Sequence, residues 1–334
     1  MATLAEMRAR IAAQENRQKS GGKFKSDGAI YPHWNIDAGT SAVLRFLPDG
    51  DPKTEFFWLE RQLIKLPFNG IKGQAGGKPV EVQVPCVEMY DPKAFCPVIS
   101  EVRTWYADES LKAIASKYWK KRSYLFQGFV RQNPIGDDVT PANPIRRFVM
   151  SSQLLPLIRA GIMDPEILES PTHYERGLNF TVTKTMKGQY ADYSTSSYSR
   201  RESALTEVEL AAIASHGLFK LADFLPKRPN DAELKIIKEM FDASVNGEEY
   251  DVARWGSYYR PFGVDDPSAN ALVGHAAAGI TVPVAPAKAV VESAKPVEDM
   301  AEPEAAPAVK PGPSSDKAKE ILAMILQRQG KAAA

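Results

Sequence analysis

The sequence predicts an α+β protein whose core is mainly β, closed as a small barrel with helices following it. Three observations lead there. Apolar, β-prone runs recur between residues 42 and 193 with turn residues between them. The segments joining them are long and rich in cations and aromatics, and helical spacing takes over from Thr206. Such β-runs with decorated connections describe a barrel with built-up rims better than a doubly wound sheet, which alternates strand and helix.

Taken in order, residues 3–16 read as a helix with Leu4, Met7 and Ile11 on one stripe, followed by a basic, flexible stretch. In the first 25 residues Arg8, Arg10, Arg17, Lys19, Lys23 and Lys25 face only Glu6 and Glu15. The run from Ala42 to Pro48 is a strand, Asp49-Gly50-Asp51-Pro52 a turn, and residues 55–66, with Phe56, Phe57 and Trp58, a second strand. Residues 69–78 are glycine-rich and read as a mobile loop, and residues 80–84 as a strand running into Cys86. A short helix over 111–117 leads into the central stretch. Beyond it, residues 145–150 and 177–187 read as strands, 152–160 and 165–169 as helical turns, and the segment with Tyr198, Arg200 and Arg201 as polar. Helices follow over 207–215, 218–224 and 231–244. From about 265 the composition is Ala, Pro, Val and Gly, which cannot bury enough surface to fold. A final amphipathic helix, with Ile321, Leu322, Ile325 and Leu326 on one face, has nothing of its own to pack on.

The central stretch, Lys117 to Arg131, turns at Ser123 from a basic run into an apolar one, and no acid lies between Lys112 and Arg131. As a strand from Tyr118 to Val130, it places Tyr118, Lys120, Arg122, Tyr124 and Phe126 on one face. Cations neutralise phosphates, and a flat ring offers an unpaired base a surface worth roughly 1–3 kcal/mol. Bases in a duplex are already stacked, so this mixture suits a single strand.

Other classes are poorly served. Lys+Arg 42 against Asp+Glu 41 leaves the chain balanced, so a basic site must arise by local segregation of charge. No apolar run is long enough to span a bilayer, which gives no membrane partner. Two cysteines point to a reducing, cytoplasmic setting. His33, His173, His216 and His275 are scattered, and no P-loop, GxSxG, HExxH or strand-borne GxGxxG is present. A non-enzymatic binding protein is therefore expected. The alternatives are a metal-dependent nuclease built on Asp137, Asp138, Asp265 and Asp266, and an RNA-binding phage protein.

In order along the chain, Ala42 to Pro48, Cys86 and Cys96-Pro97, Lys121-Arg122-Ser123-Tyr124, Arg147-Phe148, and Asn179-Phe180 followed by Gly188 to Tyr193 resemble the T-even bacteriophage single-stranded DNA-binding (helix-destabilising) protein family. The likeness is collinear from about Trp34 to Tyr193. It implies an oligonucleotide-binding (OB-fold-like) barrel over 26–265 with an inserted subdomain and a helical C-terminal part. It further implies a basic N-terminal cooperativity arm over 1–25, a disordered Ala/Pro linker over 266–313, and a partner-binding helix over 314–330. Such a protein coats single-stranded DNA without sequence choice in phage replication, recombination and repair, in the host cytoplasm. Its partners are copies of itself and replication and recombination proteins met through the tail. Carried over by position, Tyr124, Phe148, Tyr190 and Tyr193 are base contacts. Lys120, Lys121, Arg122 and Arg147 are phosphate ligands, and Arg17, Lys19 and Ser20 belong to self-association; Lys187 is a further DNA-binding candidate.

Two departures follow. The family's zinc site has one histidine and three cysteines; here Cys86 and Cys96 remain, Ile99 stands in the third thiolate's place, and no histidine precedes Cys86 in the glycine-rich loop. No zinc or other cofactor is expected; Phe95, Val98, Ile99 and Val102 take over by packing, leaving Cys86 and Cys96 as buried thiols. From Ile280 on, seven Lys/Arg balance seven Asp/Glu, so the tail lacks the family's acidity.

Overall fold

The computed structural model describes residues 28–74, 77–135 and 141–262. The segments read as an N-terminal helix and arm, the linker and the C-terminal helix, and with them Arg17, Lys19, Ser20, Asp137, Asp138, Asp265 and Asp266, lie outside the described residues.

Eight strands form one antiparallel sheet: β1 (Thr40–Phe46), β2 (Leu59–Phe68), β3 (Val80–Pro85), β4 (Lys121–Gln132), β5 (Arg146–Ser151), β6 (Leu178–Lys187), β7 (Tyr190–Asp192) and β8 (Ser197–Glu202). The helices are α1 (Pro97–Trp105), α2 (Lys112–Tyr118), α3 (Leu154–Ile162), α4 (Glu207–His216), α5 (Asp231–Val245) and α6 (Val252–Trp255). The long β4 organises the sheet. Its first half pairs with β2 (Lys121↔Leu63 to Leu125↔Leu59), and its second half pairs on the same edge with β1 (Phe46↔Gly128, Leu44↔Val130). The opposite edge carries β5, with Phe126↔Phe148. β6 then joins β1, and β7 and β8 both join β6.

Period-two alternation sorts the side chains. Ala42, Leu44 and Phe46 of β1, Tyr124 and Phe126 of β4, Phe148 and Met150 of β5, and Phe180 and Val182 of β6 share one core. Leu154, Leu155 and Ile158 of α3 close that core. On the reverse side Leu47, Phe129, Ile145, Leu205 and Ala212 make a smaller cluster beneath α4. The insertion between β1 and β4 is built differently: β2, β3, α1 and α2 pack with the C-terminal helices α5 and α6 around Trp105, Phe241 and Trp255. Capping boxes at Thr206/Glu209 and Asn230/Glu233 start α4 and α5 by satisfying the first free N–H groups.

Several local expectations shift. The second strand starts at Leu59 rather than residue 55, because Phe56 to Trp58 are irregular. Residues 97–105 form a helix where none is expected. Pro97 sits at its start, where a missing N–H costs nothing, and Val98, Ile99, Val102 and Trp105 form its buried stripe. The polar segment around Tyr198 is a strand, and residues 165–169 are turns rather than helix. The glycine-rich loop is anchored, since Tyr250 N–H donates to the Gly70 carbonyl at 2.8 Å and Lys72 N–H to the Tyr250 carbonyl at 2.9 Å. No helix among the described residues is long and apolar enough to cross a membrane.

Candidate nucleic-acid interface

From Lys121 onward the central stretch alternates as expected. Arg122, Tyr124 and Phe126 point the same way, with Gln62 and Glu60 of β2 opposite Arg122 and Tyr124, and Met150 and Phe148 of β5 on the other flank. The strand does not begin at Tyr118, however. Tyr118 ends α2, buried, with its hydroxyl 3.1 Å from Ser244 Oγ.

The expectation of an uncompensated positive field is corrected by acids that arrive from other elements. Glu88 Oε2 lies 2.7 Å from Lys120 Nζ, and its other oxygen is 3.0 Å from Arg103. Glu60 Oε1 lies 3.4 Å from Arg122 Nε and accepts a 2.6 Å hydrogen bond from Gln62. Lys121 Nζ donates to the Ser116 carbonyl at 3.1 Å. A run free of acid in sequence is thus not free of acid in space. Lys120, only slightly exposed beside Glu88, ties the insertion to the start of β4.

The rings also need correcting. Phe148 is 0% exposed, edge-on to Tyr31 and Phe46 at 6.1 and 5.9 Å between centroids. Tyr124 lies in the same core, and Tyr193 packs edge-on against His33 at 5.8 Å. Burial pushes the Tyr193 phenol up to about 12. Burial, aided by the Lys184 ammonium and opposed by a hydrogen bond to the Tyr31 backbone, pushes His33 down to about 4. In this conformation Tyr124, Phe148 and Tyr193 therefore present no open face. Alternation places Tyr124 on the side of β4 that it occupies, and the resemblance placed Phe148 and Tyr193; α3 and residues 31–36 pack in the same core as all three.

Arg147 is likewise interior. It points to the reverse side of β5, with its guanidinium 3.7 Å from the Phe224 ring centroid and 5.6 Å from that of Phe219. A buried cation packed against this edge-on ring pair braces the segment after α4 rather than offering itself to a phosphate.

Lys187 and Tyr190 are brought together in the open. They flank the β6–β7 turn, where Gly188 adopts φ +65°, a left-handed conformation that glycine takes without strain. Tyr190 is 43% exposed, Lys187 and Met186 are exposed beside it, and the Tyr190 hydroxyl accepts from Gln189 at 3.2 Å. Arg200 and Arg201 are exposed on the edge strand β8.

Sequence reasoning did not single out Phe56 and Trp58 as site residues. Their rings are 4.8 Å apart, and Phe56 is 57% exposed. The signal was present: three consecutive rings, Phe56-Phe57-Trp58, cannot all face one core in an extended segment.

Cys86 and Cys96 are buried free thiols. A hydrogen bond between the two thiols, with burial, pushes the Cys86 thiol up. Cys96 is pulled down by the same bond, assisted by backbone N–H groups of Val98 and Ile99 at the start of α1. Val98, Ile99 and Val102 fill the space around them, whereas Phe95, expected to pack there too, is 73% exposed. Two thiols beside a buried Ile99 do not fit a four-coordinate zinc site, and among the described residues no three His, Cys, Asp or Glu side chains converge to hold a metal.

No protein-family model matches the chain, and no curated protein is a significant match to it.

Proposed function

We propose that this chain binds single-stranded DNA without sequence choice and without chemistry of its own, coating the strand cooperatively during replication, recombination and repair. The observation that carries the reading is a strand order. Five strands run β5-β4-β1-β6-β8, all antiparallel, and α3 connects β5 to β6. This is the connectivity of the oligonucleotide-binding fold, a five-stranded, partly open Greek-key barrel. Its two end strands, β5 and β8, form no ladder together; α3 packs against both, and the Gly161 backbone lies against the Tyr198 ring.

Connectivity alone assigns no function, so the site must supply the rest. In this fold, ligands lie over the second and third strands and between the loops that follow the first and fourth. Here those strands are β4 and β5, and the loop after the fourth is the β6–β7 hairpin bearing Lys187 and Tyr190. Arg122, at the start of β4, is about one-third exposed, with Glu60 Oε1 3.4 Å from its Nε. Cations spaced along such a path neutralise successive phosphates, and exposed rings accept bases that have left the helix. A protein that holds unpaired strands better than duplex shifts the melting equilibrium by mass action.

The hairpin gives a test. Lys187→Ala is expected to weaken binding to a short oligothymidine and to reduce the slope of log affinity against log salt by about one. Tyr190→Ala is expected to cost about 1–3 kcal/mol with the slope unchanged. Wild-type affinity and slope in both variants would remove the hairpin from the site. Release of shortened product on incubation with Mg²⁺ would point instead to a nuclease, and tighter binding to RNA of equal length to an RNA-binding role.

A further inference from the structure

Five rings form a continuous series that runs out of the core. Phe180 lies 5.6 Å from Phe46, Phe46 5.0 Å from Phe126, Phe126 5.8 Å from Trp58, and Trp58 4.8 Å from Phe56. Each successive pair is tilted by only 30–32°. Phe57, by contrast, meets Trp58 edge-on at 89° and turns inward onto Phe46 and Phe126. The series is fixed at its inner end, since Phe46, Phe126 and Phe180 are fully buried. It ends in solvent at Phe56, whose only ring neighbour among the described residues is Trp58.

A single exposed phenylalanine is ordinary on a protein surface and needs no explanation. Here the exposed ring continues a rigid column of tilted, offset rings, so its outer face is held at a fixed angle by what lies beneath it. An offset flat surface of that kind is what another aromatic plane stacks on. The charges nearby narrow the choice of occupant. Glu55 is exposed immediately beside Phe56, which disfavours a phosphate at this spot. An exposed ring backed by a second ring, with an acid beside it, suits the uncharged plane of a base better than a phosphate.

We infer that Phe56, backed by Trp58, is a stacking seat for an unpaired nucleobase. This deepens the single-strand reading proposed above and rests on it. The seat contributes through the ring and not through charge.

The test uses the full chain, an oligothymidine, and an abasic oligomer of the same length and charge. Phe56→Leu keeps an apolar side chain at an exposed position, so the fold is retained, but it removes the plane. It is expected to weaken binding to the oligothymidine on the order of tenfold, to leave the salt slope and the abasic affinity unchanged, and to reduce the change in Trp58 fluorescence on binding. Phe56→Tyr is expected to restore all three. Wild-type binding with an unaltered Phe56→Leu variant overturns the seat and leaves the functional reading standing. Equal weakening toward the oligothymidine and the abasic oligomer also overturns it, as does a variant that changes only self-association of the free protein. Failure of the wild type to bind any single strand overturns the functional reading, and the seat with it.

Discussion

Arg45→Met is expected to lower the stability of the protein by about 3–5 kcal/mol. The Arg45 side chain is fully buried on the reverse face of β1. Its guanidinium donates to backbone carbonyls of Pro171 and His173, with longer contacts to Phe46 at 3.4 Å and Leu178 at 3.5 Å. It thereby fastens the loop that delivers the chain into β6. Burial, reinforced by Arg131 and opposed by Glu209, pulls its pKa down to about 10, still well above neutrality, so the group stays charged. Methionine fills much of the volume but loses both guanidinium bonds, leaving the Pro171 and His173 carbonyls only their backbone donors, the N–H groups of Leu178 at 3.0 Å and Gly177 at 2.8 Å; a hydrogen bond to a charged donor is worth roughly 1.5–3 kcal/mol. A urea titration with unchanged slope and a lower midpoint is the expected outcome, with hydrogen exchange accelerating first in residues 171–178. A loss under about 1 kcal/mol would mean that water reaches these carbonyls and that the clamp is not structural.

Gly128→Ala is expected to be worse, and the reason lies in the same place. Gly128 sits opposite Phe46 in the β1–β4 pairing, and a Cβ there would strike the Arg45 carbonyl oxygen and lie 2.9 Å from its carbonyl carbon. Both partners are backbone, so no rotamer change relieves the clash, and the strands must part. A loss above about 4 kcal/mol is expected, comparable to the total stability of many domains at 5–15 kcal/mol. Insoluble expression, or the absence of a cooperative urea transition, is the predicted result. A soluble variant with a near-wild-type midpoint would contradict the β1–β4 register.

The strands and helices with strong periodicity were legible in the sequence. β6 announces itself by alternation, β1 and β5 as short β-prone runs near turn residues, and α5 by its apolar stripe and Asn230/Glu233 box. β8 did not, because Ser197 to Glu202 is an edge strand held by its ladder with β6 rather than by an apolar face. For the candidate site, alternation told which residues share a side of β4 but not whether that side is open. Tyr124 and Phe148 are covered by side chains of other elements, among them Tyr31 and those of α3, and Glu60 and Glu88 reach Arg122 and Lys120 only in three dimensions. Tyr190 and Lys187 were the easier case, since a hairpin tip is exposed by its geometry.

The account depends on a surface that accepts bases only after they have left the duplex. The most direct measurement is an equilibrium titration of intrinsic fluorescence, to which Trp58 contributes, with single-stranded and duplex DNA of equal length at two salt concentrations. The account predicts saturable quenching by the single strand, steep weakening as salt rises, and at least about tenfold weaker binding to duplex. Equal affinity for both forms, or no change with either, would contradict it.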